Sequence, residues 1–577
     1  MLIRLLRRYL IPYRWLVVAV MGLQLVQTAA ALLLPDLSAD IIDRGVLPSD
    51  VGAIWRLGGV MAAIALVQLV CAVGAVIVAA RVSSCLAGDL RTALFGHVQT
   101  FSAREMDRFG APSLVTRTTN DVQQIQMVVQ TTLTFLVTAP LMCAGGIVFA
   151  LRQDLPLSLL LVVIVPVLAT VTRMIMRRMA PLSAVLQATI DTVNRIMREQ
   201  ITGQRVIRAF VKETHEQARF AEANDRLTEV SLRVGRLMAL IFPVVTALAG
   251  VAGVAVVWIG AGRVDSGAIG VGALSAFLGY VLQILGAAIM ATYLLPQLPR
   301  AEVCARRAAE VLDTHSSVVT PREPARSMPD PGRVELRDVA FHYPGAETAV
   351  VTGVGFAATA GETVAIIGGT GSGKSTLLKL IPRLADTSAG AVLVGGVDVR
   401  DLDREMLSRT IGYVPQRRFL FSGTIATNLR FGAPDASDDD LWRALDIAQA
   451  RAFVEDLPGG LDAPISQGGT NVSGGQRQRL AIARALARRP RIYVFDDSFS
   501  ALDYATDARL REALAATTAE ATVIIVAQRV NTIRDADRIV VLDDGHVVGI
   551  GTHHELFDAN PTYREIVLSQ LTGAEAA

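Results

Sequence analysis

Long apolar runs alternate with arginine-rich stretches in the first half of the chain. In the second half, short β-rich runs alternate with helical spacing. A helix that crosses a membrane needs about 20 mostly apolar residues. Six runs meet this requirement: 15–34, 57–80, 131–151, 156–173, 237–260 and 272–295, none with an acidic or basic residue near its centre. Only helices or closed barrels satisfy their backbone in lipid, so each run predicts a helix. The first dozen residues, with Arg4, Arg7 and Arg8, read as a basic amphipathic helix on the inner membrane surface. A simple flanking charge cluster is the other reading.

Arginine placement predicts the orientation. Arg4, Arg7, Arg8 and Arg14 precede the first run and put the N-terminus on the cytoplasmic side, while Asp36, Asp40, Asp43 and Asp50 follow it against Arg44 and suit the outside. The stretches 81–130 and 174–236 are long and arginine-rich, so they belong inside, where the spans are expected to continue as helices. Short breaks at Phe109-Gly110-Ala111-Pro112 and Thr202-Gly203 put tips near 110–118 and 203–211. Helical spacing persists to about Thr314, and the Pro-rich stretch ending at Pro331 reads as a linker. The expected organisation is a membrane all-α domain over 1–315, a linker over 316–331 and an α/β domain over 332–577 with a largely parallel sheet.

Composition agrees with a membrane class: of 577 residues, 52% are hydrophobic and 19% charged, with a net charge of only +2. Cys71, Cys85, Cys143 and Cys304 form no CxxC pair and read as structural thiols. The N-terminus shows no small-residue cleavage site after its first apolar run.

The chemistry lies in the second half. Gly368-Gly369-Thr370-Gly371-Ser372-Gly373-Lys374-Ser375-Thr376 fits GxxxxGK[ST] between strand Val364–Ile367 and a helix opening at Thr376. Glycines there let backbone N–H groups approach phosphates, Lys374 reaches the terminal phosphates, and Ser375 supplies a hydroxyl for Mg²⁺. The strand Ile492–Phe495 ends in Asp496, a carboxylate placed to hold Mg²⁺. Ser473-Gly474-Gly475-Gln476 precedes a helix over Arg477–Arg488 and reads either as a plain N-cap or as a phosphate grip; its position between the phosphate loop and the Asp496 strand favours the grip.

Together these motifs resemble the ATP-binding cassette transporters, in particular exporter-type half-transporters with six spans followed by one cassette. The resemblance covers essentially the whole chain. It implies that Tyr343 stacks on adenine and that Gln416 touches Mg²⁺ and senses the membrane half. It also implies that Ser473, Gly474, Gly475 and Gln476 contact ATP held by an opposite subunit, and that Ser500-Ala501-Leu502-Asp503 communicates across the dimer. The tips would be coupling helices, the first docking on both cassettes and the second mainly on the partner's. Nothing repeats the cassette within the chain, so a unit with two cassettes needs two chains.

Three positions depart from the family pattern. Asp497 stands where a glutamate normally acts as general base; it keeps the charge but is one methylene shorter. Gln528 stands where the family has a histidine; it can hydrogen-bond a γ-phosphate but cannot become cationic. Gln467, in Ser466-Gln467-Gly468-Gly469, replaces a glutamate that normally meets the coupling helices. Asp497 and Gln528 look like the degenerate half of a heterodimeric exporter, whose intact Ser473–Gln476 completes the partner's active site. The alternatives are a slow homodimer, an importer of the exporter shape, and an ATP-gated channel or regulatory subunit. The spans lack intramembrane charge and carry Gln24, Gln27, Gln68 and Gln283 with several aromatics. They suit an amphipathic small molecule or a lipid rather than a strongly ionic cargo. The expected cofactors are ATP and Mg²⁺, the expected partner is a second half-transporter in the plasma membrane, and no nucleic acid is expected.

Overall fold

The computed structural model describes residues 1–570 except Leu136, Leu295, Pro296 and Ala501. Leu136 and Leu295 fall in predicted spans and Ala501 in the Ser500–Asp503 segment; these positions lie outside the described residues. Two compact units form, one from Met1–Gln99 with Ala111–Thr314, the other from Thr100–Gly110 with His315–Ala577.

The first unit is all helical. Its helices are α1 (Leu2–Leu10), α2 (Arg14–Ile41), α3 (Val51–Val98), then, after α4 of the second unit (Ala103–Phe109), α5 (Ala111–Thr116), α6 (Val122–Phe135), α7 (Thr138–Gln153), α8 (Leu155–Thr202), α9 (Gln204–Ala209), α10 (Glu213–Asp265), α11 (Val271–Leu294) and α12 (Gln297–Asp313). Among the described residues, six helical stretches are long and apolar enough to cross a membrane, and each contains one predicted run or most of it. α3 and α8 run for 48 residues each and α10 for 53. At about 1.5 Å per residue such helices are roughly 70–80 Å long, over twice the ~30 Å hydrocarbon layer. They therefore continue well beyond lipid, as the arginine-rich stretches predict.

Lipid gives no hydrophobic drive between helices, so close approach and polar contacts carry the packing. A Cβ on Gly272 would lie 2.2 Å from the Ala39 carbonyl oxygen, and the Gly272 N–H donates to Asp43 Oδ1 at 2.8 Å. Only glycine lets α11 start this close to α2. Tyr280 donates to the Leu32 carbonyl at 3.2 Å and Gln283 to that of Ala31 at 2.9 Å. Pro140 lies in the first turn of α7, where a missing N–H removes no ladder bond. The buried Gln24 amide donates to the carbonyls of Leu133 and Thr134 at the end of α6. Gln24 and Gln283 are thus helix–helix glue.

Three sequence expectations shift. α1 is amphipathic, but Leu2 and Leu5 are buried, and the N-terminal ammonium meets Glu302 of α12 at 2.9 Å. Part of its apolar face therefore packs on protein. The first tip helix is α4 at Ala103–Phe109, ahead of the expected 110–118: a Ser102–Glu105 capping box starts it and Gly110, at φ 72°, ends it. α4 groups with the second unit, not with the membrane domain that 1–315 delimits. Ser102 Oγ lies 2.9 Å from Ser317 Oγ, and Phe101 stacks on Phe109 with centroids 5.8 Å apart. The 316–331 stretch is also partly held in place: the Ala325 N–H donates to the Asp401 carbonyl at 2.8 Å, and Ala325 accepts from the Asp403 N–H at 3.1 Å.

The second unit holds a six-stranded sheet in the order His546–Gly551, Arg538–Asp543, Thr363–Gly368, Thr522–Val526, Ile492–Asp496, Ile411–Val414. All but the first are parallel. A four-stranded antiparallel sheet includes Val334–Phe341 and Val351–Ala358. Strand residues alternate faces. Val364 and Ile366 pack under the antiparallel sheet with Leu377 and Leu378, while Ala365 and Ile367 face the other way, towards Leu480, Ile482 and Leu510. Burial on both faces explains why these strands read as continuous apolar runs.

Asp154 joins two long helices. Its carboxylate accepts from the Leu157 N–H at 2.7 Å, as N-cap of α8, and from Arg263 of α10 at 2.7 and 2.9 Å. Asp154→Ala removes both roles, whereas Asp154→Asn keeps the cap and loses the ion pair. Thermal unfolding in detergent is expected to show the larger drop in midpoint for Asp154→Ala, the difference reflecting a cap of about 0.5–2 kcal/mol. Equal drops would mean that the cap contributes nothing.

Candidate functional site

Adjacent parallel strands end at one edge of the sheet, and each delivers a candidate residue there. Thr363–Gly368 leads into the phosphate loop, Ile492–Asp496 into Asp497, Thr522–Val526 into Gln528, and Ile411–Val414 into Gln416. The switch from strand to loop at this edge is where open α/β sheets bind ligands.

The loop's shape follows from its glycines. Gly371 and Gly373 have φ of 89° and 91°, and a Cβ on Gly373 would sit 2.8 Å from the Val350 carbonyl oxygen. A side chain at Gly373 is both strained and blocked. Positions Gly369 and Gly371 face open space, so the loop's backbone is approachable. Lys374 opens the helix Lys374–Leu380 and folds back over the loop, donating to the carbonyls of Gly368 at 2.8 Å and Gly369 at 2.6 Å and lying 3.3 Å from Ser372 Oγ. Burial pushes its ammonium pKa below the ordinary value, against the pull of Asp497 and Asp496. Thr376 is buried and its hydroxyl lies 3.1 Å from the half-exposed Tyr343 hydroxyl, so the aromatic ring stands beside the loop helix.

Ser375 donates to Asp496 Oδ1 at 2.7 Å. Asp496 is 2% exposed, and burial raises its pKa, with the Ser375 bond opposing. A hydroxyl and a carboxylate in contact are hard oxygen donors of the kind that hold Mg²⁺ beside a nucleotide's own oxygens. Among the described residues no cluster of three or more His, Cys, Asp or Glu side chains could hold a metal. A hydroxyl, one carboxylate and the Gln416 amide are the side chains that fit here.

Asp497 is buried and strained, with φ 48° in a non-glycine residue. Its N–H donates to the Val526 carbonyl at 3.0 Å. Its Oδ2 accepts from the Gln528 amide at 3.2 Å and the Gln416 amide at 3.4 Å. The two departing residues, Asp497 and Gln528, therefore touch. Two contacts of this region join residues distant in the chain and so have no local sequence signal. Gln570 donates to the Gln528 carbonyl at 2.8 Å and accepts from the Val530 N–H at 2.9 Å, and Arg529 donates to the Ser500 carbonyl at 3.1 Å.

Ser473 caps the helix Gly474–Ala487, three residues earlier than the expected start at Arg477. Its N–H donates to Gln476 Oε1 at 2.9 Å, and its Oγ accepts from the Gln476 N–H at 3.2 Å. The capping box fixes Ser473 and Gln476, while Gly474 remains exposed with open space around it. The helix's free N–H groups are thus available to an anion. Gln467 is exposed in a short turn that Gly468, at φ 72°, makes possible.

Removing the Ser375 hydroxyl leaves a buried carboxylate short of a donor. Ser375→Ala should destabilise the nucleotide-free chain by about 1–3 kcal/mol, and Ser375→Thr should restore much of this. Thermal midpoints without nucleotide check it; an unchanged Ser375→Ala midpoint would show that Asp496 does not depend on the bond.

The family model of the ABC transporter transmembrane region matches residues 17–288, and the ABC transporter model matches 351–500. An uncharacterized ABC transporter ATP-binding protein of Mycobacterium tuberculosis is 49% identical over 578 residues, covering 100% of this chain and 99% of its own. An ATP-dependent lipid A-core flippase of Thiobacillus denitrificans is 31% identical over 561 residues, 97% of this chain and 96% of its own. The solved structure of a bacterial Atm1-family ABC exporter with ATP bound superposes with a TM-score of 0.79 at 23% identity, covering 99% of both chains, and so shares the fold. With six spans ahead of one nucleotide-binding cassette, this chain belongs to the ABC transporter family, as an exporter-type half-transporter whose ATPase domain makes it ATP-driven.

Proposed function

We propose that this chain is one half of a pair of unlike subunits that moves amphipathic small molecules or lipids outward across the plasma membrane, with its N-terminus and cassette in the cytoplasm. ATP and Mg²⁺ bind the chain's own loop: Tyr343 faces the adenine, Gly368–Thr376 and Lys374 hold the phosphates, and Ser375, Gln416 and Asp496 hold the metal. Ser473–Gln476 completes the site on the partner. Mg²⁺ would neutralise phosphate charge; the protein's part is to place donors and exclude the wrong geometry.

One observation carries the asymmetry. The carboxylate positioned to act on water is Asp497, a methylene short, and its hydrogen-bonding side chains are the neutral amides of Gln416 and Gln528. Misplacing a catalytic group by about 1 Å costs about 100-fold in rate. An amide at position 528 also cannot carry the charge an imidazolium would. Binding groups remain in place while the base is compromised, which suits a site that holds ATP and turns it over slowly. A partner with glutamate and histidine at the matching positions would supply the hydrolysis that resets the cycle. The absence of charge near the centres of the apolar runs, and kinship with an ATP-dependent lipid A-core flippase, support an amphipathic cargo.

Purified alone, the chain should show ATPase near background, and the double change Asp497→Glu with Gln528→His should raise it by about 10–100-fold. Robust turnover by the unaltered chain alone, lost on Asp497→Asn, would sink the degenerate-site reading in favour of a working homodimer.

A further inference from the structure

One face of α1 has no use in the fold. Leu2, Leu5, Leu6 and Tyr9 recur at helical spacing and are buried or half-buried, so they form the face that packs on protein. Hydrogen bonds fasten the helix there at both ends. The Leu2 N–H donates to Glu302 of α12 at 3.0 Å, and Tyr13, just beyond the helix, donates to Asp89 of α3 at 2.8 Å. Ile3, Arg4, Arg7 and Arg8 share the opposite face with Ile11 at the helix end, and all five are exposed, Ile3 at 82%. Trp15, at the start of α2, is 73% exposed.

The outward face carries charge without a counter-charge. The first acidic residue of the chain is Asp36. Asp89 and Glu302, the carboxylates bonded in this region, are engaged with Tyr13 and with Met1 and Leu2. Among the described residues no carboxylate pairs with Arg4, Arg7 or Arg8. A helix face that meets only water commonly alternates the sign of its charges. Arginines interleaved with isoleucine and flanked by tryptophan are instead the composition of a membrane interface. A guanidinium takes phosphate in a bidentate fork. A zwitterionic headgroup brings its own cation beside the arginines, whereas an acidic headgroup leaves net negative charge, so the unbalanced face favours acidic lipids.

We propose that the outward face of α1 is a binding site for acidic phospholipids. Arg4, Arg7 and Arg8 hold the headgroup phosphates, and Ile3, Ile11 and Trp15 enter the acyl boundary. The most buried apolar residues of α1 lie on α3 and α12, so its lipid contact runs through the arginine face. Protein already holds the helix in place, and binding therefore costs little further ordering of the backbone. The site is independent of the ATP chemistry and of the subunit pairing.

The test titrates the full-length chain, in a neutral detergent, with phosphatidylglycerol or with phosphatidylcholine of the same acyl chains, and reads bound lipid by native mass spectrometry. The unaltered chain should prefer phosphatidylglycerol by about ten-fold or more, and each of Arg4→Gln, Arg7→Gln and Arg8→Gln should weaken that lipid about five-fold. The triple glutamine variant should bind the two lipids within about two-fold of each other. Unchanged phosphatidylcholine binding certifies that the variants are folded. Replacing all three arginines by lysine should keep the preference; its loss there would show that the arginines act through helix packing and overturns the proposal. No preference in the unaltered chain, or a preference that survives the triple glutamine change, also overturns it. Displacement of phosphatidylglycerol by excess inorganic phosphate would make the face a site for free anions and overturn the lipid assignment. An equal loss on changing Arg173, Arg177 and Arg178 of α8 to glutamine would mean diffuse attraction to basic surface and overturn the placement on α1.

Discussion

Parallel strand order is the constraint on which the site depends. Four adjacent strands, Thr363–Gly368, Thr522–Val526, Ile492–Asp496 and Ile411–Val414, run the same way and stop at one edge. Residues up to 160 positions apart in the chain, Gly368 and Gln528 among them, meet there. The strands hold this register because both faces are buried, with Val364 and Ile366 on one side and Ala365 and Ile367 on the other. A slip by one residue would exchange those faces. The Ser375–Asp496 bond then ties the loop helix to the end of strand Ile492–Asp496, two strands from the loop's own.

Much of this was legible in the sequence. The loop Gly368–Thr376, Asp496 and Ser473–Gln476 are local patterns that suggest their chemistry, whereas the role of Gln416 comes only from the family resemblance. The six apolar runs are visible because lipid demands uninterrupted hydrophobicity. Contacts between distant residues were not legible. Nothing near Gln528 announces that Gln570 braces its carbonyl, and nothing near Asp154 announces Arg263. The break at Phe109-Gly110-Ala111-Pro112 puts the expected first tip at 110–118, whereas Ser102 and Glu105 start a helix ahead of it. The Pro-rich 316–331 stretch reads as a linker, and Ala325 within it is held by backbone bonds on both sides.

The membrane unit and the cassette solve opposite problems. In the apolar runs, polar groups such as Gln24, Tyr280 and Gln283 join helices by donating to backbone carbonyls. In the cassette, polar groups gather at the ends of the strands, where Lys374 bonds the loop carbonyls, Ser375 bonds Asp496 and two amides share one oxygen of Asp497. That arrangement suits a site that binds and waits. In the proposed pair, Ser473–Gln476, fixed by its own capping box, would serve a second chain.

The most direct measurement is the identity of the nucleotide held by each subunit during turnover. The purified pair would be photolabelled with an azido-ATP carrying label on the α-phosphate while it hydrolyses ATP, and the label on each chain read as triphosphate or diphosphate. A slow site here requires triphosphate on the Tyr343-containing peptide of this chain and predominantly diphosphate on the partner. Diphosphate in equal proportion on both chains would contradict the asymmetric pair.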